Sequence, residues 1–77
     1  MDFIDKKEKL ADLIENYLLD SQKEKELLSY INELSVDEDF IGKDLFKNIF
    51  DELVRYLPDL SNKELKQRVL LIRGFID

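Results

Sequence analysis

Apolar residues recur along this chain at helical spacing, most clearly between Asp44 and Leu57, where the sequence reads DLFKNIFDELVRYL. Wound at about 100° per residue, Leu45, Phe46, Ile49, Phe50, Leu53, Val54, Tyr56 and Leu57 fall on one arc about 180° wide. Asp44, Lys47, Asn48, Asp51, Glu52 and Arg55 fill the opposite half. Half a circumference of apolar surface is wider than the seam of a two-stranded coiled coil, and suits a helix with several neighbours. The pattern predicts the central helix of a compact helical domain.

The same spacing marks three more helices. Residues 3–19 place Phe3, Leu10, Ala11, Leu13, Ile14, Tyr17 and Leu18 on one face, with Asp2 as cap. Residues 22–34 present Leu27, Leu28, Tyr30, Ile31 and Leu34. Residues 62–76 align Leu65, Val69, Ile72 and Ile76, widened by Leu71 and Phe75, with Leu70 on the solvent side. Three serines are followed by glutamate three residues later, Ser21…Glu24, Ser35…Glu38 and Ser61…Glu64, each a potential capping box. Pro58 closes the central helix, because a residue before proline is driven out of the α region. Ser35 with Glu38 predicts a short helical turn near 36–41, seated by Phe40 and Ile41 and stopped by Gly42 in a left-handed conformation. The expectation is all-α: a compact antiparallel bundle of four helices, about 3–19, 22–34, 44–57 and 62–76, forming a single domain over residues 1–77.

Composition narrows the chemistry. The 77 residues contain no cysteine and no histidine, so thiolate metal sites, disulfides and the common nucleophile–base pairs are missing. Carboxylates on solvated helix faces have nothing to raise their pKa for acid–base work, and the expectation is no enzyme and no cofactor. Asp37-Glu38-Asp39-Phe40-Ile41-Gly42 begins like a calcium loop, but Ile41 and Asn48 fall where the fifth and twelfth ligands belong. No apolar run approaches a membrane span or a signal sequence, which predicts a soluble, cytoplasmic protein that does not engage membranes.

The net charge of −6 is uneven: residues 33–59 carry eight acids against three bases, and residues 60–77 carry two against four. Direct nucleic-acid binding needs clustered Lys and Arg, so the charge points to a basic protein partner. The candidate binding face is Asp37, Glu38 and Asp39 followed by Asp44, Asn48, Asp51, Glu52 and Asp59.

Two family resemblances bear on this reading. The size, acidity and helical form are similar to acyl and peptidyl carrier proteins, but Gly42-Lys43-Asp44-Leu45 has no serine where the phosphopantetheine arm would be attached. Phe46-x-x-Ile49-Phe50-Asp51-x-Leu53-x-x-Tyr56-Leu57-Pro58-Asp59, followed by Glu64-Leu65 and a closing helix ending Ile76-Asp77, resembles small bacterial immunity proteins of the Maf and colicin D types. Leu10-x-x-Leu13-Ile14-x-x-Tyr17-Leu18 is compatible with their first helix. The chain departs from the Maf type in having Gly42-Lys43 for a Gly-Glu pair, and its segment after Asp59 is shorter than the colicin D type. The resemblance implies a cytoplasmic inhibitor that binds and neutralises a toxin domain, often an RNase; the free protein is expected to be a monomer. A helical interaction or oligomerisation module, working through Leu70 or the Leu28/Tyr30 edge, and a phage-type inhibitor of a defence nuclease are the alternatives.

Overall fold

A computed structural model describes residues 2–76 and bears out the all-α bundle. Four helices, α1 (Phe3–Leu19), α2 (Glu24–Ser35), α3 (Asp44–Tyr56) and α4 (Asn62–Gly74), are joined through 3-10 turns at Ser21–Lys23 and Leu57–Asp59 and a loop over 36–43. No strand occurs among the described residues. Helix α1 lies against both α2 and α4, and α2 against α3.

The helix starts show which capping signals hold. The Asp2 carboxylate accepts from the Asp5 amide at 2.9 Å, opening α1 as expected. At α4 the full box forms: Ser61 Oγ accepts from the Glu64 amide and Glu64 Oε1 from the Ser61 amide, both at 3.1 Å. The other two boxes do not form. Asp20, one residue before Ser21, accepts from the Gln22 amide at 3.0 Å and caps the 3-10 turn instead. An ionised carboxylate is the stronger acceptor and takes the position from the hydroxyl. Helix α2 then grows out of that turn without a side-chain cap of its own. Ser35 ends α2 rather than opening a new helix, donating its hydroxyl to the Asn32 carbonyl at 2.8 Å.

The expected helical turn near 36–41 is present as a single turn organised by Asp37. The Asp37 carbonyl accepts from the amides of Phe40 (2.9 Å) and Ile41 (3.0 Å), while its carboxylate accepts from the Asp39 amide at 2.8 Å. Gly42, at φ +88°, turns the chain into α3. A side chain there would sit in a backbone region that costs about 1–2 kcal/mol.

Packing narrows the apolar arc of α3. Phe46, Ile49, Phe50, Leu53 and the following Leu57 are buried, spanning about 100° of the helix. Val54 and Tyr56, at the margins of the arc, are each 53 % exposed. Neighbouring helices cover the centre of α3 and leave its flanks in water, so Tyr56 is not the buried ring its periodicity suggests. All five phenylalanines meet at one end of the bundle. Phe46 touches Phe3, Phe40, Phe50 and Phe75, with ring centroids between 4.9 and 6.1 Å apart.

That cluster shortens α4. The helix stops at Gly74, and Phe75 folds back over Phe46 and Phe3 instead of adding another turn. Ile76 consequently leaves the apolar stripe and is 90 % exposed. The reversal is secured by Lys7, a buried ammonium whose Nζ donates to the carbonyls of Arg73 at 3.1 Å and Phe75 at 3.0 Å. A positive charge here answers both the orphan carbonyls and the negative end of the helix dipole.

Candidate partner-binding face

The eight residues of the candidate face occupy three elements. Asp37, Glu38 and Asp39 lie in the 36–43 loop, Asp44, Asn48, Asp51 and Glu52 on α3, and Asp59 at the end of the second 3-10 turn. The structure divides them into two groups.

Three of them are engaged within the molecule. Lys6 of α1 donates to Asp37 Oδ2 at 2.7 Å and to Asp39 Oδ2 at 3.0 Å. Its hydrogen bond holds the Asp37 carboxyl below the usual carboxylate range, and the Asp39 amide adds to the effect. The same pair pushes the Lys6 ammonium above the ordinary lysine value. Glu52 is taken by Arg68 of α4 in a two-pronged contact, 2.6 Å from Nε to Oε1 and 3.0 Å from Nη2 to Oε2. Arg68 lowers the Glu52 pKa through that contact. At the negative charge they would offer a partner, these residues are partly neutralised.

The remaining five, Glu38, Asp44, Asn48, Asp51 and Asp59, are exposed and make no ion pair or side-chain hydrogen bond among the described residues. On α3, Asp44, Asn48 and Asp51 follow one another at helical spacing along the outward side. Lys47 and Arg55 are exposed on the same helix and offset part of the charge. Asp44 and Asp51 also line a groove of about 450 Å³ with Ile41, Gly42, Phe40 and Phe50. Asn48 and Asp59 lie outside that groove.

The mounting behind these residues is stiff. Phe40 is 3 % exposed and packs on Phe3, Phe46 and Phe50. Lys43 lies over the Phe3 ring at 5.0 Å from its centroid. Together with the Lys6 bridge, these contacts pin the loop to α1 from behind, so Glu38 projects from fixed backbone.

Sequence reasoning missed three cations: Lys6 and Arg68, which engage this surface, and Arg73, which ties α4 to α1 elsewhere. Arg73 receives Glu8 at 3.1 Å, Asp12 at 2.8 Å and Glu15 at 2.6 Å. Those three acids stand at helical spacing on α1, and that stripe was the available signal. Ile41 was expected on the core with Phe40, but it points outward and is 62 % exposed. Among the described residues, no group of His, Cys, Asp and Glu is placed to hold a metal ion, and no helix is long and apolar enough to cross a membrane.

Comparison with protein families, with curated proteins and with solved structures finds no match. The functional reading therefore rests on the chain's own residues and their arrangement.

Proposed function

We propose that this protein is an immunity-type inhibitor that binds and neutralises a basic toxin domain, of RNase type, through the outward side of α3 and the 36–43 loop. One observation supports this reading above the rest. Glu38, Asp44 and Asp51 stand exposed on backbone that is braced from behind, with no internal cation assigned to them among the described residues. A preorganised surface loses little conformational freedom on binding. Carboxylates in that position accelerate encounter with a positively charged groove and make the association sensitive to salt. An RNase groove built for phosphates presents that charge. A phage-type inhibitor of a defence nuclease would use the same face and the same physics.

The test is inhibition of a toxin domain encoded beside this chain, measured as residual RNase activity and as association rate. Glu38→Lys with Asp51→Lys is expected to slow association about tenfold at low ionic strength, with the difference shrinking as salt is added. Glu52 is left out because its reversal would break the contact with Arg68 and confuse stability with binding. An unchanged rate and salt dependence would remove this face from the interface.

A second reading, a helical interaction or oligomerisation module, is supported by Leu70. It is 71 % exposed on α4 and borders a groove with Leu18, Leu19 and Val69. Sedimentation of a single species of monomer mass at high concentration would dispose of it as a self-association site.

A further inference from the structure

Adjacent residues of the 36–43 loop do opposite things. Phe40 plugs the phenylalanine cluster, while Ile41 stands in solvent. The outward placement is not slack, because the Ile41 amide is held by the Asp37 carbonyl at 3.0 Å and Gly42 fixes the exit of the loop. Ile41 is the exposed apolar side chain of the groove described above, which is also lined by the buried Leu34, Phe40 and Phe50 and by an acidic wall of Asp44 and Asp51. Lys47 also lines the groove and offsets one of the two charges.

A largely apolar groove bordered by two aspartates and a lysine matches the anatomy of a protein interface, in which a desolvated centre is bounded by a polar rim. We propose that this groove seats one aliphatic side chain of the partner, carried on a segment whose flanking lysines or arginines meet Asp44 and Asp51. The proposal rests on the inhibitor reading and specifies the partner's contact: an apolar side chain with basic residues beside it. Charge selects the occupant. A nucleic-acid backbone would bring phosphates onto two aspartates, and an acidic helix would be repelled by the same wall. The apolar centre supplies what charge alone does not. Contacts to exposed carboxylates set the encounter rate, whereas burial of Ile41 and an incoming side chain lengthens the lifetime of the complex. A second copy of this chain offers a related combination, Leu70 with Lys63 and Lys66 on the exposed side of α4, so the test must separate it.

The full chain, labelled with nitrogen-15, is titrated with the peptides acetyl-KKLKK-amide and acetyl-KKSKK-amide, of equal charge. The amides of Ile41, Gly42, Phe50 and Asp51 are expected to shift with the leucine peptide, and the serine peptide is expected to bind about tenfold more weakly. Ile41→Ser should abolish that difference and leave the fold intact, because the side chain is exposed. Equal affinity of the two peptides would overturn the groove, as would shifts confined to other surfaces. Shifts at the groove and at Lys63, Lys66 and Leu70 on concentrating the protein alone would assign it to a second copy and overturn the proposal. The inhibitor reading fails separately. If the neighbouring toxin is neutralised equally well by Ile41→Ser, the groove falls and the inhibitor stands. If the leucine peptide binds as expected but the toxin is untouched, the groove stands and that partner falls.

Discussion

On one side of the bundle, Glu8, Asp12 and Glu15 of α1 converge on Arg73 of α4; on another, Glu38, Asp44 and Asp51 meet no cation among the described residues. Both sets of acids look alike as sequence, since each is an acidic polar stretch flanking apolar positions. Their difference lies in what stands opposite. The guanidinium of Arg73 is a planar fork that can serve several carboxylates at once, and it ties the end of α4 to the middle of α1. Its hydrogen bond to Glu15 holds that carboxyl below its usual range and raises the pKa of Arg73 in return. The α1 carboxylates therefore serve the fold. Glu38, Asp44 and Asp51 contribute little to it, and a stretch of surface with negative charge in excess of its structural needs is the better candidate for recognition.

The largest effect should come from the side of this contrast where α4 is anchored. Lys7→Met keeps most of the buried stem but removes both hydrogen bonds from the ammonium to the carbonyls of Arg73 and Phe75. Hydrogen bonds to a charged donor typically contribute about 1.5–3 kcal/mol, so a loss of about 2–3 kcal/mol is expected. For a domain of this size that lowers Tm by roughly 10–20 °C, read by thermal circular dichroism. The total stability of such a chain is on the order of 4–11 kcal/mol, which makes the change a large fraction of the whole. An unaltered Tm would mean that water serves those carbonyls equally well.

Arg73→Met should come next. It leaves Glu8, Asp12 and Glu15 close together with no cation between them, so the cost is both a lost tie and added repulsion. These groups are substantially exposed, so the penalty is smaller than at Lys7 and is screened by salt. The measurable signature is a lowered Tm that recovers part of its loss in high salt, whereas Lys7→Met stays low at every ionic strength.

The sequence-level periodicity carried further for helices than for contacts, and the reason is physical. Helix starts depend on residues within one turn, so Asp2 and the Ser61–Glu64 box were legible, while Ser21 and Ser35 lost to Asp20 and Asp37, carboxylates only one or two positions away. Pro58 did not act as expected: Leu57 before it stays in the α region, and the break falls at Tyr56, from which the chain passes into a 3-10 turn. Leu70 was correctly placed in solvent by its angle alone. The clamps were not legible, because Lys6 meets Asp37 across 31 residues and Arg73 meets Glu15 across 58, and such pairs depend on how the finished helices align. One signal went unread. Lys7 falls on the line Phe3, Leu10, Ile14 at heptad-like spacing, so a lysine on the apolar stripe of α1 announced a buried, partnered ammonium. Of the candidate face, Asp37 and Asp39 proved to be held by Lys6 from α1, and Glu52 by Arg68 from α4.

A pH titration of stability separates the paired carboxylates from the rest with a smaller effect. Asp37, Glu52 and Glu15 lie below their usual range because of Lys6, Arg68 and Arg73. Each folded value is below its unfolded one, so the stabilisation is present above about pH 4 and is lost as pH falls through the folded values. At the other limb, Lys6 is raised by Asp37 and Asp39, and Tyr30 and Tyr17 are raised by burial. Their stabilisation is complete below about pH 10 and is lost as pH rises through the folded values. With no histidine or cysteine side chain to titrate, stability should be nearly flat between about pH 5 and 9. Lys6→Met should raise the midpoint of the acid transition, because Asp37 then loses the partner that keeps it ionised; an unmoved midpoint would show that its amide contacts suffice.

The smallest effect is the most informative. Glu38→Gln combined with Asp51→Asn removes two charges from the loop and α3 without touching any ion pair among the described residues. Asp44 is kept, because it occupies the first turn of α3, where a negative charge is favoured by the helix dipole at about 0.3–1 kcal/mol. Tm is expected to stay within about 2 °C of the parent, or to rise slightly as repulsion within a chain of net charge −6 is relieved. Set beside the losses at Lys7 and Arg73, a null result in stability would mean that these carboxylates are dispensable to the fold. A binding defect in the same variant, measured against a basic toxin domain, would then have no structural explanation left. If the pair instead destabilised the protein as much as Arg73→Met does, the contrast between the two acidic stretches would collapse, and with it the main reason for placing a partner on this side of the molecule.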